Sequence, residues 1–130
     1  ADLRGAGLCG ADLRGANLSG ADLRWANLGE DVPTIPGIHT AVHATASTPG
    51  ALNMLEWHTC QTTHCRAGWV VTLAGQAGAD LEQRLGTGVA AALIYAASDP
   101  TLTRVPDWHT TNTEALADME RLARAEQAAS

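Results

Sequence analysis

Apolar positions along this chain follow two regimes. Through residue 30 the sequence reads ADLRG AGLCG ADLRG ANLSG ADLRW ANLGE, with Ala at 1, 6, 11, 16, 21 and 26 and Leu at 3, 8, 13, 18, 23 and 28. A helix wants apolar spacings of three and four, and a strand wants two, so a period of five fits neither. Two positions held in phase over six units mark an internal repeat. After Glu30 the spacing turns helical. "DVPTIPG" reads as a linker, and Pro36 suits the first turn of a helix running to about Ser47, with Ile38 and Val42 on its apolar face and "TPG" stopping it. A second helix is expected from about Cys65 to Ala74, with Trp69 and Leu73 on one side. Residues 79–85 predict a short amphipathic helix ended by Gly86, and 88–97 a nearly all-apolar, buried one. Pro100 and Pro106 mark a loop. The last helix carries the clearest start signal, Thr111 with Glu114 three residues on, which is a capping box. Leu116, Met119, Leu122 and Ala123 form its apolar face, while Glu120, Arg121, Arg124 and Glu126 line the other. β-branched residues in alternation are scarce, so no sheet is expected outside the repeat.

The repeated unit of a small residue, Asp or Asn, Leu, and two variable positions resembles the pentapeptide-repeat family over residues 1–30. The resemblance implies a right-handed quadrilateral β-helix with one pentapeptide per side. Leu would then stack along the axis, Ala would fit the inward turn, and Arg4, Arg14, Arg24, Cys9 and Ser19 would face outward. Six units make only about one and a half coils, and such a stack must bury its ends on a neighbour. The expected neighbours are the following domain, further coils ahead of residue 1, or a second copy of the chain. The fold class expected is therefore α+β: a short β-helix stub over 1–30, then a small α-helical domain over 31–130. Some members of the family imitate duplex DNA through a long acidic rod. Here Asp2, Asp12 and Asp22 are offset by Arg4, Arg14 and Arg24, which disfavours that role.

Charge and composition narrow the function classes. The net charge is −6, and the eight basic residues are all arginines with no clustered stripe, which argues against nucleic-acid binding through phosphate neutralisation. At 130 residues the chain can bury a core without staples. Its three cysteines are too few, and odd in number, for a secreted disulfide scaffold. No signal-peptide pattern opens the chain, and the longest apolar run, Val89 to Ala97, is too short for a membrane span. A soluble, cytoplasmic protein without membrane attachment is expected.

The candidate chemistry sits in "WHTCQTTHCRAGW", residues 57–69, which hold two of the three cysteines, two of the five histidines and two of the four tryptophans. Cys65 is placed where a helix begins, and the unpaired N–H groups and partial positive charge there favour a thiolate and a lowered pKa. Four readings stay open. In the first, the thiols are core residues packed by Trp57 and Trp69. Cys60 and Cys65 could close a small disulfide loop, worth about 2 kcal/mol. Cys60 and Cys65, spaced C-x4-C, could join His39 and His43, spaced H-x3-H, in a zinc site, with His58 and His64 as substitutes. The bland alternative for His39 and His43 is two solvated histidines. Finally, Cys65 with His58 or His64 could act as a nucleophile, or Cys60 and Cys65 could work as a two-thiol acid/base pair of the epimerase kind. His109, in a loop with Asp107, could approach such a site. The "THCRAGW" segment resembles uncharacterised bacterial proteins, and no activity follows from that.

Two functions are weighed. The first is an interaction protein whose repeat stub docks a protein or peptide partner or forms a homodimer, with no cofactor and no resident metal. The alternative is a small cysteine-dependent enzyme on a peptide or amino-acid substrate, with Cys60, Cys65, His58 and His64 as its catalytic residues.

Overall fold

The computed structural model describes residues 32–54, 58–60, 63–102, 104–106, 108 and 110–129, with backbone alone for 58–60 and 63–64. Five helices carry the fold: α1 (Ile38–Ala46), α2 (Arg66–Leu73), α3 (Gly75–Leu85), α4 (Thr87–Ser98) and α5 (Asn112–Ala129). Between α1 and α2 lies a two-stranded antiparallel ribbon, β1 (His58–Cys60) with β2 (Thr63–His64). The α+β class is thereby corrected. Among the described residues the fold is helical, and its extended pairing is limited to this ribbon of five residues and an isolated bridge at Leu52. The reason is compositional: alanine-rich segments with apolar spacings of three and four bury one stripe each, and too few β-branched residues alternate to build a sheet. The quadrilateral β-helix expected over 1–30 falls outside the described residues, and no such coil belongs to the described fold. The ribbon corrects a second expectation, that no strand would follow the repeat. Its sequence, HTCQTTH, is rich in threonine, which suits extended backbone.

The sequence signals place the helix ends well, although α3 begins at Gly75 rather than at 79. α1 ends on Ser47, and α3 ends on Gly86, whose φ of +91° is open to glycine and strained for other residues. α4 is buried almost throughout, from Val89 to Ala96, so it forms the central rod. It packs on α2 and α3, while α1 packs on α5. α3 can approach α2 closely because residue 78 is glycine: a Cβ there would lie 2.5 Å from the Val71 carbonyl oxygen. One half of the capping box of α5 forms, with the Glu114 N–H donating to Thr111 Oγ1 at 3.2 Å, while the Thr111 hydroxyl donates to Glu114 Oε1 at 3.3 Å. The buried apolar side chains make one contiguous cluster, with Ile38, Val42, Val70, Ile94, Tyr95 and Met119 at its centre. No helix among the described residues is long and apolar enough to cross a membrane.

α1 lacks a side-chain cap of its own. Its N-cap is Gly37, at φ +63°. The cap arrives instead from α5: Glu126 accepts from the His39 N–H at 3.1 Å, the Thr40 N–H at 2.9 Å and the Thr40 hydroxyl at 2.7 Å. These donors hold the Glu126 carboxyl below its usual range, although burial pushes the other way.

Candidate functional site

Cys65 occupies the N-cap of α2, where its Sγ accepts from the Gly68 N–H at 3.3 Å. That is the position expected from the sequence, but the electrostatics are reversed. Burial pushes the thiol pKa up, and the hydrogen bonds from Gly68 and its neighbours only partly oppose it. The residue is 2 % exposed. The expected lowering fails because desolvation of a thiolate outweighs three weak backbone dipoles. Cys65 carries a reduced thiol here, and the side chain of Cys60 lies outside the described residues.

The other three predicted site residues lie in the ribbon. His58 stands opposite His64 and Cys60 opposite Thr63 in the strand register, with an irregularity between the two pairs. The side chains of His58, Cys60 and His64 fall outside the described residues, as do Trp57, His109 and Asp107. Trp69 anchors the junction as expected: it is 8 % exposed, and its Nε1 donates to the Ala51 carbonyl at 2.7 Å.

His39 departs from the solvated reading, whereas His43 is half-buried. His39 is buried, and its Nε2 lies 2.8 Å from Asp99 Oδ2. Asp99 is held below the usual carboxylate range: burial raises it, but the Thr101 and His39 hydrogen bonds outweigh that. An ionised carboxylate only accepts, so Nε2 is the donor. Nδ1 is buried without a partner. Among the described residues no cluster of three or more His, Cys, Asp or Glu is arranged to hold a metal ion.

The structure assembles a polar group that the sequence did not announce. Arg66, the first residue of α2, is 1 % exposed. Its Nε donates to the Tyr95 hydroxyl at 2.9 Å and its Nη1 to Asp118 Oδ2 at 2.7 Å. Asp118 Oδ1 in turn accepts from Arg121 Nη2 at 2.6 Å. Tyr95 stacks on His39 on one side and on Trp108 on the other, with ring centroids 5.8 and 6.0 Å apart. A polar line, buried at His39, Tyr95 and Arg66 and partly exposed at its ends, thus runs from Asp99 to Asp118. Burial works against the Arg66 charge, but Tyr95 and Asp118 outweigh it and hold the guanidinium firmly protonated. Burial likewise pushes the Tyr95 phenol above its ordinary value, against the pull of Arg66. Asp118 is depressed, its partial burial overcome by Arg121 and Arg66.

Arg66 borders a cavity of about 440 Å³ between α5 and the connection from α4. A second cavity, about 400 Å³, lies beside His39 and Asp99, and Leu122 forms part of both walls. One signal in the sequence pointed to Arg66: it is the lone charge in CRAGWVV, a run otherwise small or apolar. Asp118 carried no such mark, since it lies among other charged residues of α5.

No curated protein and no solved structure matches the chain. Residues 1–29 match the family model described as pentapeptide repeats (8 copies), so the front of the chain is a pentapeptide-repeat segment joined to a helical domain.

Proposed function

We propose that the chain is an interaction module in which the repeat segment docks a protein or peptide partner or a second copy of the chain, and the helical domain serves as its scaffold. The observation that carries this reading is the repeat itself, six units in phase at two positions. Repeat units bury their apolar faces on neighbours, so a short array favours association. The thiol-enzyme alternative draws no support from Cys65, a buried cap whose thiol is held protonated. Sedimentation velocity of the full chain over a wide concentration range tests the self-association arm. A reversible shift from monomer to dimer that Leu13→Asp abolishes supports it. A monomer at every concentration removes the homodimer and leaves a foreign partner as the surviving form.

A further inference from the structure

The fifth position of the repeat is glycine at 5, 10, 15 and 20, and then changes to Trp25. An indole carries a large apolar area and a single N–H donor, so it is best placed on an apolar surface with a polar edge. Chain length limits where that surface can lie. Val32 and Ile35 already belong to the core of the helical domain, and the Ile35 N–H donates to Ser98 Oγ at 2.9 Å. Trp25 is thus seven residues from a fixed point, a reach of about 25 Å at full extension. Ser98 is itself part of the wall of the cavity beside His39 and Asp99, so the chain enters the helical domain at that cavity. Pro100, Leu122, Ala125 and Ala129 give the wall an apolar strip, half-buried at Leu122 and exposed at the other three. The carboxylates of Asp99 and Glu126 border the same strip. A carboxylate offers about four acceptor sites, so their bonds to His39, Thr40 and Thr101 leave room for one more donor.

We propose that this cavity is the docking site for Trp25 of the same chain, with the indole ring on Pro100, Leu122 and Ala125 and its N–H on one of the two carboxylates. The docked indole fastens the repeat segment to the helical domain, independently of any partner that the earlier repeat units bind. The cavity measures about 400 Å³, at the small end of the range for ligand pockets, which suits one bicyclic ring. A tether of seven residues gives a millimolar effective concentration, which favours this chain's own indole over that of a second copy.

The test uses the full chain. Trp25→Ala and Leu122→Ala should each lower the urea midpoint. The unfolding constant of the double variant should rise about fivefold less than the product of the two single effects, because the contact can be lost only once. In a nitrogen-correlated spectrum, the amide shifts that Trp25→Ala changes should include residues 98–101 and 122–129, to the same extent at low and high protein concentration. Ala125→Trp is an exposed change that sets an indole on the wall from α5. It should occupy the cavity, so that adding Trp25→Ala to it no longer moves the midpoint. This arm decides if Leu122→Ala does not fold. Strict additivity of the two alanine variants, unchanged shifts at 98–101 and 122–129, or a full effect of Trp25→Ala in the Ala125→Trp background would each overturn the proposal. Shift changes that appear only at high concentration would also overturn it, by assigning the contact to a second copy.

Discussion

Arg66 Nη1 and Asp118 Oδ2 meet at 2.7 Å across 52 residues of sequence, joining the start of α2 to the middle of α5. The arginine is 1 % exposed and the aspartate 34 %. Removing one partner of a fully buried pair costs about 3–5 kcal/mol, because the other charge is stranded. Here the carboxylate is partly solvated and Tyr95 still holds Arg66. Asp118→Ala should therefore destabilise by about 2 kcal/mol once solvent screening is discounted. Urea unfolding should show a lower midpoint with an unchanged slope. An unchanged midpoint would mean that the pair contributes nothing net.

Acid should unfold the protein through its paired carboxylates. Asp118, Asp99 and Glu126 all have folded pKa values depressed below the ordinary range. A depressed folded pKa gives stability that is complete above the unfolded value and is lost as pH falls through the folded one. Melting temperature should stay level above about pH 5 and drop below about pH 4. Asp118→Asn combined with Glu126→Gln should flatten that drop. An equally steep acid limb in the double variant would assign it to other groups.

Glu126 caps α1 from another helix, so its loss should act far from its own position in sequence. Glu126→Ala should cost about 1 kcal/mol, as for a lost N-cap. The sharper readout is hydrogen exchange: the His39 and Thr40 amides should exchange faster while those of α4 keep their protection. Uniform acceleration across the chain would point to global destabilisation instead.

At Cys65 the prediction separates a cap from a reactive thiol. Cys65→Ser keeps an acceptor for the Gly68 N–H and should hold stability within about 0.5 kcal/mol, whereas Cys65→Ala should lose about 1 kcal/mol. Because the thiol is buried and its pKa is raised, alkylation in the folded protein should be much slower than in urea. Equal alkylation rates at Cys65 in both conditions would contradict the burial.

Gly78 tests the close approach of α2 and α3. Alanine normally favours a helix over glycine by about 1 kcal/mol. At this position its Cβ would sit 2.5 Å from the Val71 carbonyl oxygen, a backbone atom that cannot swing away. Overpacking of this kind costs about 1–3 kcal/mol, so Gly78→Ala should be destabilising. A rise in melting temperature would show that the two helices separate easily.

The sequence by itself determined the local order. The five-residue repeat, the capping box at Thr111 and Glu114, the stop at Gly86 and the apolar run that becomes α4 were all legible, because each depends on neighbours three to five residues away. The N-cap position of Cys65 was legible for the same reason, but its pKa was not. Desolvation depends on what packs over the thiol, and that comes from other helices. The ribbon at His58–His64 was missed because five residues of extended chain are too short to show a period. Tertiary structure alone decided the polar line. Asp99 reaches His39 across 60 residues, Asp118 reaches Arg66 across 52 and Glu126 reaches Thr40 across 86. Apart from the apolar run around Arg66, nothing local distinguishes a charged side chain that will be buried from one that will face water. Only the packing of α5 on α1, and of α2 on α1 and α4, fixes which of them lose their solvent and so must find one another.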